Sequence, residues 1–275
     1  MKRTFILSLI AVAFSLSTFG QNPKPVVQDN SFKIREFSVN GVSFKMVAVE
    51  GGTFQMGSDD GEDNEKPVHN VTLSNYYIGE TEVTQALWEA VMGETIYDQA
   101  KKERDSTDLK GVDDDCPMYY LSYEDCVDFI NELNIMLKDQ LPQGRKFRLP
   151  TEAEWEFAAR GGNRSRGYQY SGSNTLSSVA WYWDNGNKIT HPVKQKQANE
   201  LGLYDMSGNV LEWCYDWKGN YSSSSQTNPK GPSTGSLRVL RGGSWIINAQ
   251  YCRVANRGNY SPDNRYVDFG LRLAL

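Results

Sequence analysis

Histidine is nearly missing from this 275-residue chain: His69 and His191 are the only two, and they lie far apart. A mononuclear iron centre held by three imidazoles cannot be assembled from them. Cysteine is scarce too, with Cys116, Cys126, Cys214 and Cys252. Four thiols in a chain this long do not make a disulfide scaffold, so an apolar core must carry the fold. In an oxidising compartment they allow three complete pairings, and spacing does not choose among them. Basic clusters are also lacking. The 29 Lys and Arg are scattered among 34 Asp and Glu, which argues against a nucleic-acid partner. No glycine-rich phosphate loop follows a strand. Beyond residue 20 no apolar run approaches the roughly 20 residues that span a bilayer, so no transmembrane segment is expected in the mature chain.

What is present begins with an address. Lys2 and Arg3 precede an apolar run from Phe5 to Leu16, and Thr18-Phe19-Gly20 offers small residues at the cleavage positions. That layout predicts a secretory signal peptide over 1–20 and a mature chain starting near Gln21, outside the cytoplasm in the periplasm or beyond. No cysteine follows the cleavage point, so an N-terminal lipid anchor is not expected. Loss of Lys2 and Arg3 takes the formal charge from −5 to −7. Residues 21–36, polar and carrying Pro23 and Pro25, read as a linker, and one folded domain is expected over 37–275.

Within that domain, Phe44 to Val49, Thr53 to Gly57 and Val71 to Ile78 read as strands bounded by turn residues. Three helices carry start signals: Thr84 before Gln85 to Met92, Ser122 before Tyr123 to Lys138, and Thr151 before a segment that stops at Gly161. Asp125 and Glu154 stand at the capping-box positions of the second and third. After Gly162 the periodicity fades into Gly, Asn, Ser and aromatic residues, which predicts short strands and long ordered loops. The acidic run from Asp59 to Glu65 reads as a solvated loop, and Ser222 to Ser225 as a surface turn.

Six ordered strings stand out: Gly52-Thr53-Phe54-Gln55-Met56-Gly57-Ser58, Glu80-Thr81-Glu82-Val83-Thr84, and Phe147 to Glu156 (FRLPTEAEWE); then Leu203 to Trp213 (LYDMSGNVLEW), Arg241-Gly242-Gly243-Ser244-Trp245, and Phe269-Gly270-Leu271-Arg272. In this order and spacing the chain resembles the sulfatase-modifying-factor family of formylglycine-generating enzymes, over about residues 40 to 275. The resemblance implies an α+β fold: a compact single domain with little regular secondary structure, related to C-type lectins.

The resemblance also implies chemistry. Its enzymes oxidise a peptide cysteine to formylglycine with oxygen and a copper(I) ion held by two cysteine thiolates, ligands suited to that soft metal. The two ligand positions fall on Ile247 and Cys252 in this chain. Isoleucine has no lone pair, so the pair is incomplete and copper is not expected. An aromatic wall of the enzymes' pocket falls on Leu211. Ser244, Trp245 and Tyr251 match the pocket's frame, although Ser244 also reads as a cap on the turn after Gly242-Gly243. Cys252 has two readings, a residual catalytic thiol or a buried small hydrophobe. Cys214 could lend a second sulfur.

A calcium ion is also implied, held by the Asp205 side chain, the Gly208 and Val210 carbonyls and the Glu212 carboxylate, oxygen donors suited to a hard cation. The alternative there is an Asp-stabilised turn. A second calcium site around Ala180 to Lys188 has no clear ligand set. The leading functional expectation is a secreted module without copper oxidase activity that binds an extended peptide or a glycan, with Trp181, Tyr182 and Trp183 as candidate lining residues. The alternative is an oxidase acting on a protein cysteine through altered metal ligands.

Overall fold

Asn40 and Gly41 both take positive φ, 48° and 87°, in a two-residue turn. That is the geometry of a type I′ hairpin, whose twist matches its flanking strands. It joins β1 (Ile34–Val39) to β2 (Val42–Val49), with Val39 opposite Val42. β1, the first strand among the described residues, thus covers Ile34 to Glu36 of the stretch read as linker. This computed structural model describes residues 34–103 and 109–275. The expected signal peptide and most of the expected linker lie outside the described residues.

β3 (Thr53–Met56) runs antiparallel to β4 (His69–Thr72). β5 (Tyr76–Gly79) instead pairs with β2. The single strand expected over 71–78 is therefore two strands in two sheets. Leu73 to Asn75 break it. The Leu73 amide donates to the Gly52 carbonyl at 2.8 Å. The Ser74 amide donates to Asn228 Oδ1, and Asn75 Oδ1 accepts from the Gly51 amide, each at 2.8 Å. These side-chain bonds to backbone divert the chain from the ladder.

Five α-helices follow in chain order among the described residues. α1 (Gln85–Met92) has the expected bounds, capped by Thr84 and stopped by Gly93 at φ 67°. α2 (Ile96–Lys102) was not expected; Thr95 and Asp98 form its capping box. α3 (Tyr123–Met136) and α4 (Glu152–Ala159) carry the expected boxes from Ser122–Asp125 and Thr151–Glu154. α5 (Leu176–Val179) is one turn.

The C-terminal half is indeed short strands and loops. β6 (Leu211–Trp217), β8 (Arg238–Arg241), β9 (Gly258–Tyr260) and β10 (Phe269–Gly270) form a sheet ordered β10-β6-β8-β9. Between β6 and β8, β7 (Gln226–Thr227) adds in parallel to β4. Residues 271–275 are buried and stitch the parts together. The amides of Val83 and Gly79 donate to the carbonyls of Leu271 and Leu273, and the amide of Tyr77 to that of Leu275. One apolar cluster packs α1 and α3 against β1 and β2, with Trp88 stacked on Phe129 at 5.1 Å. A second packs α4 against β3, β4 and β6. This mixed α+β domain agrees with the expected class.

Candidate functional site

α4 turns two carboxylates inward, and arginines from the last third of the chain meet them. Arg257 grips Glu152 with two bonds of 2.6 and 2.7 Å. Arg241, fully buried, bonds Glu156 and the carbonyls of Val254, Ala255 and Asn256. Arg253 grips Glu65 at 2.9 and 2.6 Å, and Asn256 adds a third donor. Arg272 holds Glu212 at 2.7 and 3.0 Å, with the Trp155 indole donating from the other side at 2.6 Å. Each pair is charge-assisted and most are bidentate, the strongest class of protein hydrogen bond. Together they pin the segment from Arg253 to Arg257. Glu65 corrects one expectation. The acidic run does not end in solvent, because Glu65 is fully buried and clamps the loop onto that segment. Burial acts to raise the Glu65 carboxyl, but Arg253 and Asn256 outweigh it and hold it below the ordinary range.

Against this frame lies a groove of about 620 Å³. Leu211, Ile247, Tyr251 and Tyr260 give it apolar walls, and Glu62 and Asp63 lie on its lip. Tyr251 and Tyr260 are about two-fifths exposed. Ser244 and Trp245 are buried and absent from the lining. The Ser244 hydroxyl donates to Asp268 Oδ2 at 2.6 Å, and burial pushes that carboxyl up to about 6. Trp183, more than half exposed, reaches Ile247 through its amide at 3.1 Å. Trp181 is sandwiched between the His191 ring at 3.8 Å and the Lys196 ammonium at 3.7 Å.

The thiols are separate. All four cysteines are free and buried. Cys252 belongs to a small cluster with Tyr170, Leu176, Val179 and Ala180, whereas Cys214 packs under α4. Burial pushes the Cys252 thiol up to about 12 and the Cys214 thiol well above its usual range. A thiol so shifted is neutral at physiological pH and is neither nucleophile nor soft-metal ligand without outside help. Ile247 stands at the first copper position with no donor atom, so the residues present do not fit a two-thiolate copper centre.

Comparison with known proteins gives the family. Residues 31–275 match the model of the sulfatase-modifying factor enzyme 1-like domain. The chain belongs to the sulfatase-modifying factor family. A protein named chaperone protein LppX, from Paenibacillus barcinonensis, is 32% identical over 99% of both chains. The formylglycine-generating enzyme of Streptomyces coelicolor is 33% identical over 83% of this chain and 88% of its own. Among solved structures, Treponema denticola variable protein 1 is similar with a TM-score of 0.76. The two chains are 36% identical over 88% of this chain and 98% of that one.

Of the residues the resemblance implies for calcium, Asp205 and Glu212 are buried near one another. Glu82, absent from the expected set, lies beside Asp205 and Glu212, so three buried carboxyls face the one guanidinium of Arg272. Glu82 accepts from the Val210 amide at 3.3 Å and the Asn209 side chain at 3.2 Å. Asp205 Oδ2 accepts from the Lys194 amide at 2.8 Å, while Oδ1 is buried with no partner. Burial pushes Asp205 up to about 6, and burial with the charge of Asp205 pushes Glu82 well above its range. That Asp205 oxygen is the one unmatched acceptor of the three carboxyls, and no group of three His, Cys, Asp or Glu among the described residues is arranged to hold a metal ion. The Glu212 carboxylate does not offer itself freely, since Arg272 and Trp155 already occupy it. Sequence reasoning missed Glu82 and the arginine partners, although each lies in or near a quoted string.

Proposed function

We propose that this protein is a non-oxidising member of its family that works outside the cytoplasm and holds an extended peptide in the groove beside Ile247. One observation carries the reading: a groove of about 620 Å³ lies beside Ile247, while Cys252, the one thiol at the two copper positions, is buried and absent from its lining. Leu211 and Ile247 make the floor apolar where the enzymes resembled by this chain place an aromatic and a thiolate. Tyr251 and Tyr260 suit a peptide, because a half-exposed Tyr gives rigid contact area with a polar tip. The near-full-length relative named as a chaperone favours a polypeptide occupant. The N-terminal charge, apolar run and small residues support export. Calcium at Asp205, with the Gly208 and Val210 carbonyls, belongs to the same reading; there the ion would bind the orphaned oxygen and offset the surplus negative charge.

The test is a binding screen of unstructured peptides and of oligosaccharides against the mature protein, repeated with Tyr251→Ala. Saturable peptide binding that weakens in the variant supports the reading. Binding confined to oligosaccharides would replace the peptide with a glycan, and peptide-dependent aldehyde formation would replace the whole reading with the oxidase.

A further inference from the structure

A second cavity, of about 490 Å³, opens on another face, where the ends of β4 and β7 meet the loop after β6. Asp216, Tyr221, His69, Gln226 and Lys230 are among its lining residues. Asp216 is the unusual one. It is 4% exposed, and its Oδ2 accepts the Glu152 amide at 2.8 Å at the start of α4. Its Oδ1 takes no donor from any described residue, yet is not sealed off. The Tyr221 hydroxyl is buried with no partner as well. That hydroxyl is sealed from the cavity, whereas the open Asp216 oxygen, on a side chain otherwise buried, calls for a donor from the cavity.

The chemistry of that donor can be narrowed. Glu152 is neutralised by its bidentate Arg257, so the carboxyl without a counter-charge is Asp216. The aromatic faces are taken: Arg257 covers the Tyr221 ring at 3.7 Å and Arg238 the Trp217 ring at 3.6 Å. No open cage remains for a quaternary ammonium, which is held by ring faces. A hydrogen-bonding ammonium suits the carboxylate instead. Lys230 sits exposed at the rim, where it remains solvated.

We propose that this cavity binds a small organic cation through a primary ammonium group, with Asp216 as its counter-charge. Burial, then the charges of Glu152 and Glu154, push the Asp216 carboxyl up to about 8, against the pull of Arg257. At neutral pH it is therefore largely protonated, and an arriving ammonium displaces that proton. Glu152, Arg257, Tyr221, His69 and Lys230 are the other ionisable groups on the lining, with Arg257 engaged by Glu152, and Lys218 lies nearby with its ammonium lowered to about 7 by burial and Arg257.

Titration calorimetry with cadaverine at pH 7, in two buffers of different ionisation enthalpy, tests this. The expected result is one saturable site releasing about one proton per amine, falling toward zero near pH 9 where Asp216 is already ionised. Asp216→Asn keeps the acceptor for the Glu152 amide and should weaken binding by about tenfold or more. Asn220→Trp, at the rim, should block entry in a chain that keeps Asp216, which covers the case of an unfolded Asp216→Asn. Tetramethylammonium should not bind. Absence of saturable binding, unchanged affinity in both variants, or binding without proton release would overturn the proposal.

Discussion

The ion pairs beneath α4 and the groove beside them draw on the same stretches of chain, and they differ in what they have kept. Four carboxylates of the first region each have a guanidinium: Glu65 with Arg253, Glu152 with Arg257, Glu156 with Arg241, Glu212 with Arg272. At the two copper positions implied by the resemblance stand Ile247, which has no donor atom, and Cys252, which is buried in an apolar cluster. Buried pairs resist change because removing one partner strands the other charge away from water. A substrate-facing residue can change without that penalty. The strings that identify the family include residues of the scaffold's buried ion pairs.

The comparison breaks first if the pairs are dispensable. Arg241→Met leaves Glu156 with Arg160 alone and strips three carbonyls of their donor, and should cost about 3–5 kcal/mol in urea unfolding. Glu212→Ala strands Arg272 and should cost a similar amount, about 3–5 kcal/mol, with or without a calcium chelator. The calcium question needs Asp205→Asn instead. If an ion sits on Oδ1, chelation should lower the melting temperature of the wild type and leave that of the variant unmoved.

A smaller effect comes from the wall between the two regions. Asp268 behind Ser244 titrates near 6 in the fold, above the roughly 3.9 of an unfolded Asp. The native state then holds its proton more tightly than the unfolded chain, so this group favours folding at low pH. Stability should fall by about 3 kcal/mol as pH rises from about 4 to 6 on its account, and Asp268→Asn should remove that slope. Denaturant melts across that pH range check it. Smallest in stability is Tyr251→Ala, within about 0.5 kcal/mol because the side chain is exposed, while peptide affinity drops about tenfold.

Much of the scaffold was legible because its signals are local. Thr84, Ser122 and Thr151 announced three helices through hydroxyls placed to cap them, and all three caps are made. Thr95 and Asp98 carry the same capping-box signal for α2 and went unread. So did Asn40-Gly41, a two-residue turn signal that would have placed Ile34 to Glu36 in a strand. The Val71 to Ile78 run was misread as one strand because its break depends on Asn228, far along the chain. At the site, Ile247 and Leu211 were legible from position alone. The burial of Ser244 and Trp245 was not, nor the competition of Arg272 for Glu212, because both depend on tertiary packing.

The central claim, that the scaffold persists while copper oxidation is lost, is tested most directly with reduced mature protein, copper(I), oxygen and a cysteine-containing sulfatase-type peptide. Mass spectrometry follows aldehyde formation, with copper affinity measured for the wild type and for Ile247→Cys. The account predicts no aldehyde from the wild type and a gain of copper(I) binding in the variant, where a second thiolate is restored. Steady turnover by the wild type, abolished by Cys252→Ser, would contradict it.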